Sequence, residues 1–203
     1  MKAILITDES KWCRLMMNGD KTVEARKGDK LYKATQKLID EYGYAVFYVC
    51  CKKTSPWLDW SKGVAKLNNG KGCIETSKSL SHFNGKVAFK FRCYKVEELS
   101  IKYGVGWQTK TIKGKEQIEK LTQLSVFQLF EYCGRKTSTA IHISDLEIFD
   151  KPKELSEFYK VGHYEDLNDY CTDEKQINGK WCIPIKKAPQ SFCYVETGGC
   201  DNG

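Results

Sequence analysis

Gly19-Asp20-Lys21-Thr22-Val23-Glu24-Ala25-Arg26 sets a basic, a hydroxyl, an acidic and a second basic side chain directly behind a glycine suited to ending a helix. In the run ahead of it, Ser10 to Asn18, helical spacing puts Trp12, Leu15 and Met16 on one face. Ser10 or Asp8 is the expected N-cap, and Gly19 stands at C′, where a left-handed backbone is common. Beyond Gly19 the period changes to two. Thr22, Glu24 and Arg26 then share one strand face, successive members about 7 Å apart, while Val23 and Ala25 take the other. Three hydrogen-bonding side chains projecting together make a candidate binding or catalytic face.

Working outward, residues 2 to 7 read as a short opening strand and Tyr44 to Cys51 as a nearly continuous apolar central strand, with an extra helix over Lys33 to Tyr42 between them. Lys52 to Leu80 is a polar excursion, expected to be mobile or a lid, with a hairpin around Asn69-Gly70. Gly85 to Lys95 is the cleanest strand, with Val87, Phe89, Phe91 and Cys93 inward and Lys90, Arg92 and Tyr94 on a basic outward face. Residues 101 to 120 look like a surface insertion. Ser125-Val-Phe-Gln128 matches a capping box opening an amphipathic helix that ends at Gly134. From Ala140 to Phe149 the apolar parity slips at Ser144-Asp145, which calls for a β-bulge beside His142 and Ser144. Pro152 is expected to start a short helix through Phe158, and Ser191 to Val195 to supply a closing strand. Strands with few helices and a long-range closure describe an α+β fold built on a small mixed β-barrel flanked by short helices.

A chain of 203 residues, 41% hydrophobic and without a Pro- or Gly/Ser-rich linker, fits one elaborated domain. There is no run of about 20 apolar residues, and the opening apolar stretch is too short for a signal before Asp8 and Glu9 interrupt it. A cytoplasmic location with no membrane partner is the expectation, and the oligomeric state is left open. The ten cysteines then read as reduced thiols, with Cys50, Cys51, Cys93 and Cys193 serving as small strand hydrophobes. Cys171, Cys182, Cys193 and Cys200, with His163 nearby, lack the paired spacing of a zinc knuckle, so no metal or other cofactor is expected. The net charge of +7 favours an anionic partner or is simply a solvated lysine-rich surface; only four of the 33 basic residues are arginine, which suits diffuse phosphate contact.

Helix followed by G-x-K-T-x-E-x-R resembles the signature of ASCH domains of the PUA-like superfamily. Ala140 to Phe158 and Ala188 to Glu196, in that order, are similar to later blocks of a prophage-associated ASCH subgroup. The resemblance implies a PUA-like mixed β-barrel whose extra segments are 52 to 80, 97 to 120 and 159 to 187. It also implies RNA, a nucleotide or a modified nucleoside as the ligand. One ASCH branch hydrolyses the acetyl-amide of N4-acetylcytidine with a lysine and a threonine of this motif and a distant glutamate. Here Glu24 stands where that branch has a second threonine, and the distant glutamate would be Glu97 or Glu98.

Binding is therefore the leading expectation, with salt-steep affinity spread over Lys86, Lys90, Arg92 and other lysines. The alternatives are a small hydrolase, either an amidohydrolase on a modified nucleoside or a ribonuclease, and a phage-related protein-interaction module. Lys21, Thr22 and Glu24 are the catalytic candidates: an amine as cation or base, a hydroxyl as nucleophile, and a carboxylate as base toward water. Glu24 and Arg26 neutralise one another as an intrastrand pair, or present an acceptor and a fork to a base edge and a phosphate. Trp12 is either core or a stacking surface. His142, Ser144, Gln190 and Ser191 complete the candidate ligand-binding set, or are packing and strand-end polar groups.

Overall fold

The fold is seen in a computed structural model that describes residues 2–52, 65–66, 73–74, 83–102, 106–134, 136–161, 175–177 and 179–196. The first half runs β1 (Lys2–Asp8), α1 (Ser10–Met17), β2 (Val23–Lys27), α2 (Lys30–Tyr42), β3 (Ala45–Cys51), β4 (Ala65–Lys66), β5 (Cys73–Ile74) and β6 (Val87–Cys93). It continues with β7 (Val96–Lys102), β8 (Gly106–Gln108), α3 (Lys115–Thr122), α4 (Val126–Cys133), β9 (Ser138–His142) and β10 (Ser144–Lys153). A 3-10 turn (Leu155–Glu157), β11 (Tyr159–Val161), β12 (Lys175–Ile177), β13 (Lys180–Pro184) and β14 (Phe192–Glu196) complete it.

Strand β1 is apolar on both faces, so it must sit inside a sheet. Ile4 and Ile6 enter one core with Phe47, Phe89, Phe91, Met16 and Leu38, packed under α1 and α2. Ala3 and Leu5 enter another, on the opposite face, with Tyr48, Phe158 and Val195. The resulting eight-stranded sheet has the order β10-β6-β3-β1-β14-β11-β13-β12, with β1 and β3 parallel and joined across α1, β2 and α2. Phe47 stacks on Phe91 with ring centroids 4.9 Å apart, a contact worth about 1 kcal/mol beyond the area it buries. A four-stranded sheet, β2-β9-β7-β8, carries α3 and α4 over a further core of Val23, Ala25, Leu99, Trp107, Ile118 and Leu129.

The architecture is thus mixed α+β. Neither sheet closes on itself among the described residues: β10 and β12 are opposite edges of the larger one, so the expected barrel closure is not among the observed pairings. The chain passes between the sheets at Ile143, where β9 ends and β10 begins. The expected bulge lies there: Ser144 pairs with Arg92 and Glu147 with Lys90, one residue too many on β10, and Asp145 takes a φ of 46°.

Several expectations change. The N-cap of α1 is Glu9, and Asp8 instead accepts the Glu9 backbone N–H at 3.0 Å. Val87 faces away from Phe89, Phe91 and Cys93, because the β3–β6 register shifts between Val49 and Cys50 and leaves Ala88 as the extra residue. Pro152 lies inside β10 rather than starting a helix; an edge strand tolerates a missing donor, and only the 3-10 turn follows. The expected surface insertion over 101 to 120 is, from 106 onward, partly folded into the core, since Trp107, Ile112 and Ile118 are buried. The basic outward face of β6 is neutralised across the strands. Lys90 pairs with Glu147 at 3.3 Å, Arg92 with Asp145 at 3.7 Å and Lys86 with Glu154 at 2.8 Å.

Other expectations hold. Gly19 is left-handed behind α1, with a φ of 77°. The capping box of α4 forms in both directions, Gln128 N–H to Ser125 Oγ at 3.2 Å and Ser125 N–H to Gln128 Oε1 at 2.9 Å. β3 is central and β14 pairs with β1. β4 and β5 pair on either side of Asn69-Gly70, as a hairpin requires, while the turn and the expected lid lie outside the described residues. No helix among the described residues is long and apolar enough to cross a membrane.

Candidate functional site

After Gly19 the chain turns sharply: the Gly19 N–H donates to Met16 O and the Lys21 N–H to Leu15 O, each at 3.0 Å. The end of α3 clamps this turn. The Thr22 N–H donates to Leu121 O and Gln123 Nε2 to Asp20 O, both at 3.0 Å. The turn directs Lys21 inward, where Nζ donates to Thr122 O at 2.6 Å and lies 5.1 Å from the centre of the Trp12 ring. From β2, Glu24 and Arg26 point to the same side while Val23 and Ala25 enter the core under α3 and α4.

These side chains form a buried chain of charges. Lys21 Nζ is 3.2 Å from Glu24 Oε2, and Glu24 Oε1 is 2.6 Å from Arg26 Nε. The second contact is ionic only, since the Nε–H is not aligned with the oxygen and has no hydrogen-bond partner among the described residues. Arg26 Nη2 donates to Thr7 O at 3.0 Å and to Asp8 Oδ2 at 3.1 Å. Burial, reinforced by the nearby Glu24 charge, pushes the Asp8 carboxyl up to about 7 against the pull of Arg26 and Lys21. Burial disfavours the Arg26 cation, but Glu24 and Asp8 outweigh it and hold its pKa above the ordinary value.

This array forms one wall of an open cavity of about 790 Å³. Trp12 and Tyr132 contribute aromatic surface, Lys11 and Lys52 add cations, and Thr7 Oγ1 is buried in the wall with no hydrogen-bond partner among the described residues. Gln190 and Gln128 also line it. Trp12 combines both expected roles, half-buried against the core of the smaller sheet and facing the cavity.

The remaining candidates lie elsewhere. Thr22 is exposed and outside the cavity lining. The contact between Lys21 and Glu24, three residues apart, explains why: the two-residue alternation does not reach back past Val23. Ser144 pairs with Arg92 at the sheet edge, and Ser191 is exposed beyond the lining. His142 Nε2 contacts Glu97 Oε2 at 2.8 Å in a separate cluster. There Glu97 also accepts from the Thr109 hydroxyl at 3.0 Å and from the Thr111 N–H at 2.9 Å and hydroxyl at 2.7 Å, with Lys95 Nζ 3.2 Å away. Burial acts to raise the Glu97 carboxyl, but the hydrogen bonds from Thr111, His142, Lys95 and Thr109 prevail and hold it at about 2. Neither Glu97 nor Glu98 lines the cavity of Lys21.

Cys182 and Cys193 lie on β13 and β14, whereas Cys171, Cys200 and His163 fall outside the described residues. Among the described residues no group of three or more His, Cys, Asp or Glu is placed to hold a metal. Burial pushes the free thiols of Cys50 and Cys93 up to about 12, which keeps them protonated.

Sequence reasoning missed Asp8 as a site residue, and it missed Tyr132 and the Thr122 carbonyl altogether. Asp8 had a readable signal, as the charged last residue of an apolar strand. The Thr122 contact joins residues 101 apart and leaves no local trace.

A scan against known protein families finds no match, and no curated protein matches. Among solved structures the chain is similar to the ASCH protein of Zymomonas mobilis, at 13% identity and a TM-score of 0.45, with 96% of this chain and 87% of that chain covered. Two point mutants of the same Zymomonas mobilis protein align at 14% and 12% identity, with TM-scores of 0.45 and 0.44. Those alignments cover 98% and 97% of this chain and 93% and 89% of theirs.

Proposed function

We propose that this chain is an ASCH-type, PUA-like binding module, of the prophage-associated kind, whose cavity takes a base from RNA, a nucleotide or a modified nucleoside. It is read as one elaborated cytoplasmic domain over 1–203, with insertions at 52–80, 97–120 and 159–187. The observation that carries the reading is the placement of Lys21, Glu24 and Arg26 on one cavity wall with Trp12 and Tyr132 beside them. The motif cations already pair with Glu24 and Asp8. The wall therefore suits a neutral, planar ligand with donors and acceptors on its edge better than a bare phosphate. Among the described residues Thr7 Oγ1 has an unmet hydrogen bond, and Lys11 and Lys52 add positive charge to the lining, which suits a sugar-phosphate backbone.

Binding is preferred to hydrolysis on two grounds. The motif hydroxyl, Thr22, is outside the cavity, and both oxygens of Glu24 are already engaged by cations. Calorimetric titration of the purified chain with nucleosides, acetylated cytidine, nucleotides and short single-stranded RNA tests the reading, with product analysis alongside. Binding without turnover, weakened at least tenfold by Lys21→Met, is expected. A folded protein that binds none of them, or binds them unchanged in Lys21→Met, refutes it. Product formation lost in Lys21→Met replaces it with the hydrolase.

A further inference from the structure

The loop between β13 and β14 lines two cavities at once. Ala188, Pro189 and Gln190 line the Lys21 cavity, while Lys186, Lys187 and Pro189 line a second one of about 470 Å³. Pro189 belongs to both, so the two adjoin there. The second is a groove between diverging strands: among the described residues β11 and β14 pair only at Tyr159 and Glu196. Ile183 of β13 and Cys193 of β14 lie in it, and Lys160, paired with Ile183, shares that face.

The groove carries charge of one sign. Its lysines, Lys160, Lys186 and Lys187, are all exposed, and among the described residues no acidic side chain lines the groove or pairs with them. The lysines of β6, by contrast, are neutralised by Glu147 and Glu154. An uncompensated cluster of this kind attracts anions. The Lys21 cavity is its complement, since Lys21 and Arg26 are already paired and leave room for a neutral ring. Phosphates attached to such a ring need free cations, which the groove supplies on the far side of Pro189. The floor between the lysines is apolar, with Ile183 and Ile185, and burial pushes the Cys193 thiol up to about 11 against the pull of Lys160, so it stays neutral. Two residues along β13 from Ile183, and so on the same face, Trp181 is 54% exposed and offers a base a stacking surface.

We propose that the groove is the second half of a single-stranded RNA track: one base enters the Lys21 cavity, the strand crosses Pro189, the following phosphates lie among Lys160, Lys186 and Lys187, and a further base stacks on Trp181. The proposal rests on the reading of the Lys21 cavity as a base site, and it makes the ligand an RNA strand rather than a free nucleoside.

Calorimetric titration of the full chain with a mixed-sequence RNA octamer and with nucleoside 5′-monophosphates, over a series of salt concentrations, tests this. The triple variant Lys160→Gln, Lys186→Gln, Lys187→Gln alters only exposed side chains. It is expected to weaken the octamer about tenfold or more and to reduce the slope of log K against log salt by about 2, while the mononucleotides are unchanged. Trp181→Ala is expected to weaken the octamer about fivefold or more. An octamer that binds the triple variant as tightly as the wild-type chain overturns the track; if Lys21→Met still weakens it, the cavity reading stands without the groove. Octamer binding weakened in the triple variant but untouched by Lys21→Met overturns the cavity reading and the path that joins it to the groove. No octamer binding, an equal loss for the mononucleotides, or displacement of the octamer by a polyglutamate peptide or anionic vesicles at the same charge concentration also overturns the proposal.

Discussion

Replacing Glu24 with alanine removes the carboxylate that joins Lys21 to Arg26, and the cost can be worked from the burial of the partners. The side chains of Lys21, Glu24 and Arg26 are 2%, 5% and 10% exposed, so water cannot take over the lost contacts. Arg26 keeps Asp8 at 3.1 Å and the Thr7 carbonyl. Among the described residues Lys21 keeps the Thr122 carbonyl, the Trp12 ring and the more distant charge of Asp8, and no counterion within ion-pair distance. Stranding a buried charge in this way costs about 3–5 kcal/mol, or roughly 6–20 °C in Tm for a chain of this size. Removing both charges together, in Lys21→Met with Glu24→Leu, leaves the Arg26–Asp8 pair intact and is expected to cost about 1–2 kcal/mol, less than the single change. Urea unfolding followed by tryptophan fluorescence and circular dichroism at pH 8 measures both, since Asp8, raised to about 7, is ionised there. A single variant losing under 1 kcal/mol, or a double variant losing more than the single, would refute the reading of Glu24 as the hub of the array.

The Glu97 cluster makes a pH prediction with a definite sign. Its carboxyl is lowered from 4.5 to about 2, so its stabilising contribution is present above pH 4.5 and is lost as pH falls toward 2. Glu97→Gln should flatten the fall of the urea midpoint across that window, and an unchanged slope would contradict the hydrogen-bond accounting. At the start of α4, Ser125→Ala opens the capping box and should cost about 1 kcal/mol, a Tm loss of roughly 2–4 °C by calorimetry; no measurable loss would mean the box does not hold the helix.

Parts of the site were legible because they depend on neighbours in sequence. Gly19 marks the end of α1, and alternation from Val23 onward puts Glu24 and Arg26 on one face, as the cavity wall confirms. Thr22 was misplaced for the same reason: alternation was extended one residue before the strand begins. Val87 was misplaced because a bulge is a property of the pairing between β3 and β6, not of either strand alone. The basic face of β6 looked available to phosphates until β10 brought Glu147, Asp145 and Glu154 alongside it. Such exposed pairs add little stability, but they remove the expected concentration of unpaired charge.

The sequence by itself determined the helix stops, the capping box, the strand alternations and the motif residues that share a face, because caps and periodicity act over one or two turns of chain. Only the tertiary structure decided which charges are buried together and that a carbonyl 101 residues away receives Lys21. Charge pairing and desolvation act through space, and the sheet order that brings those groups together is set by long-range packing that no local window contains.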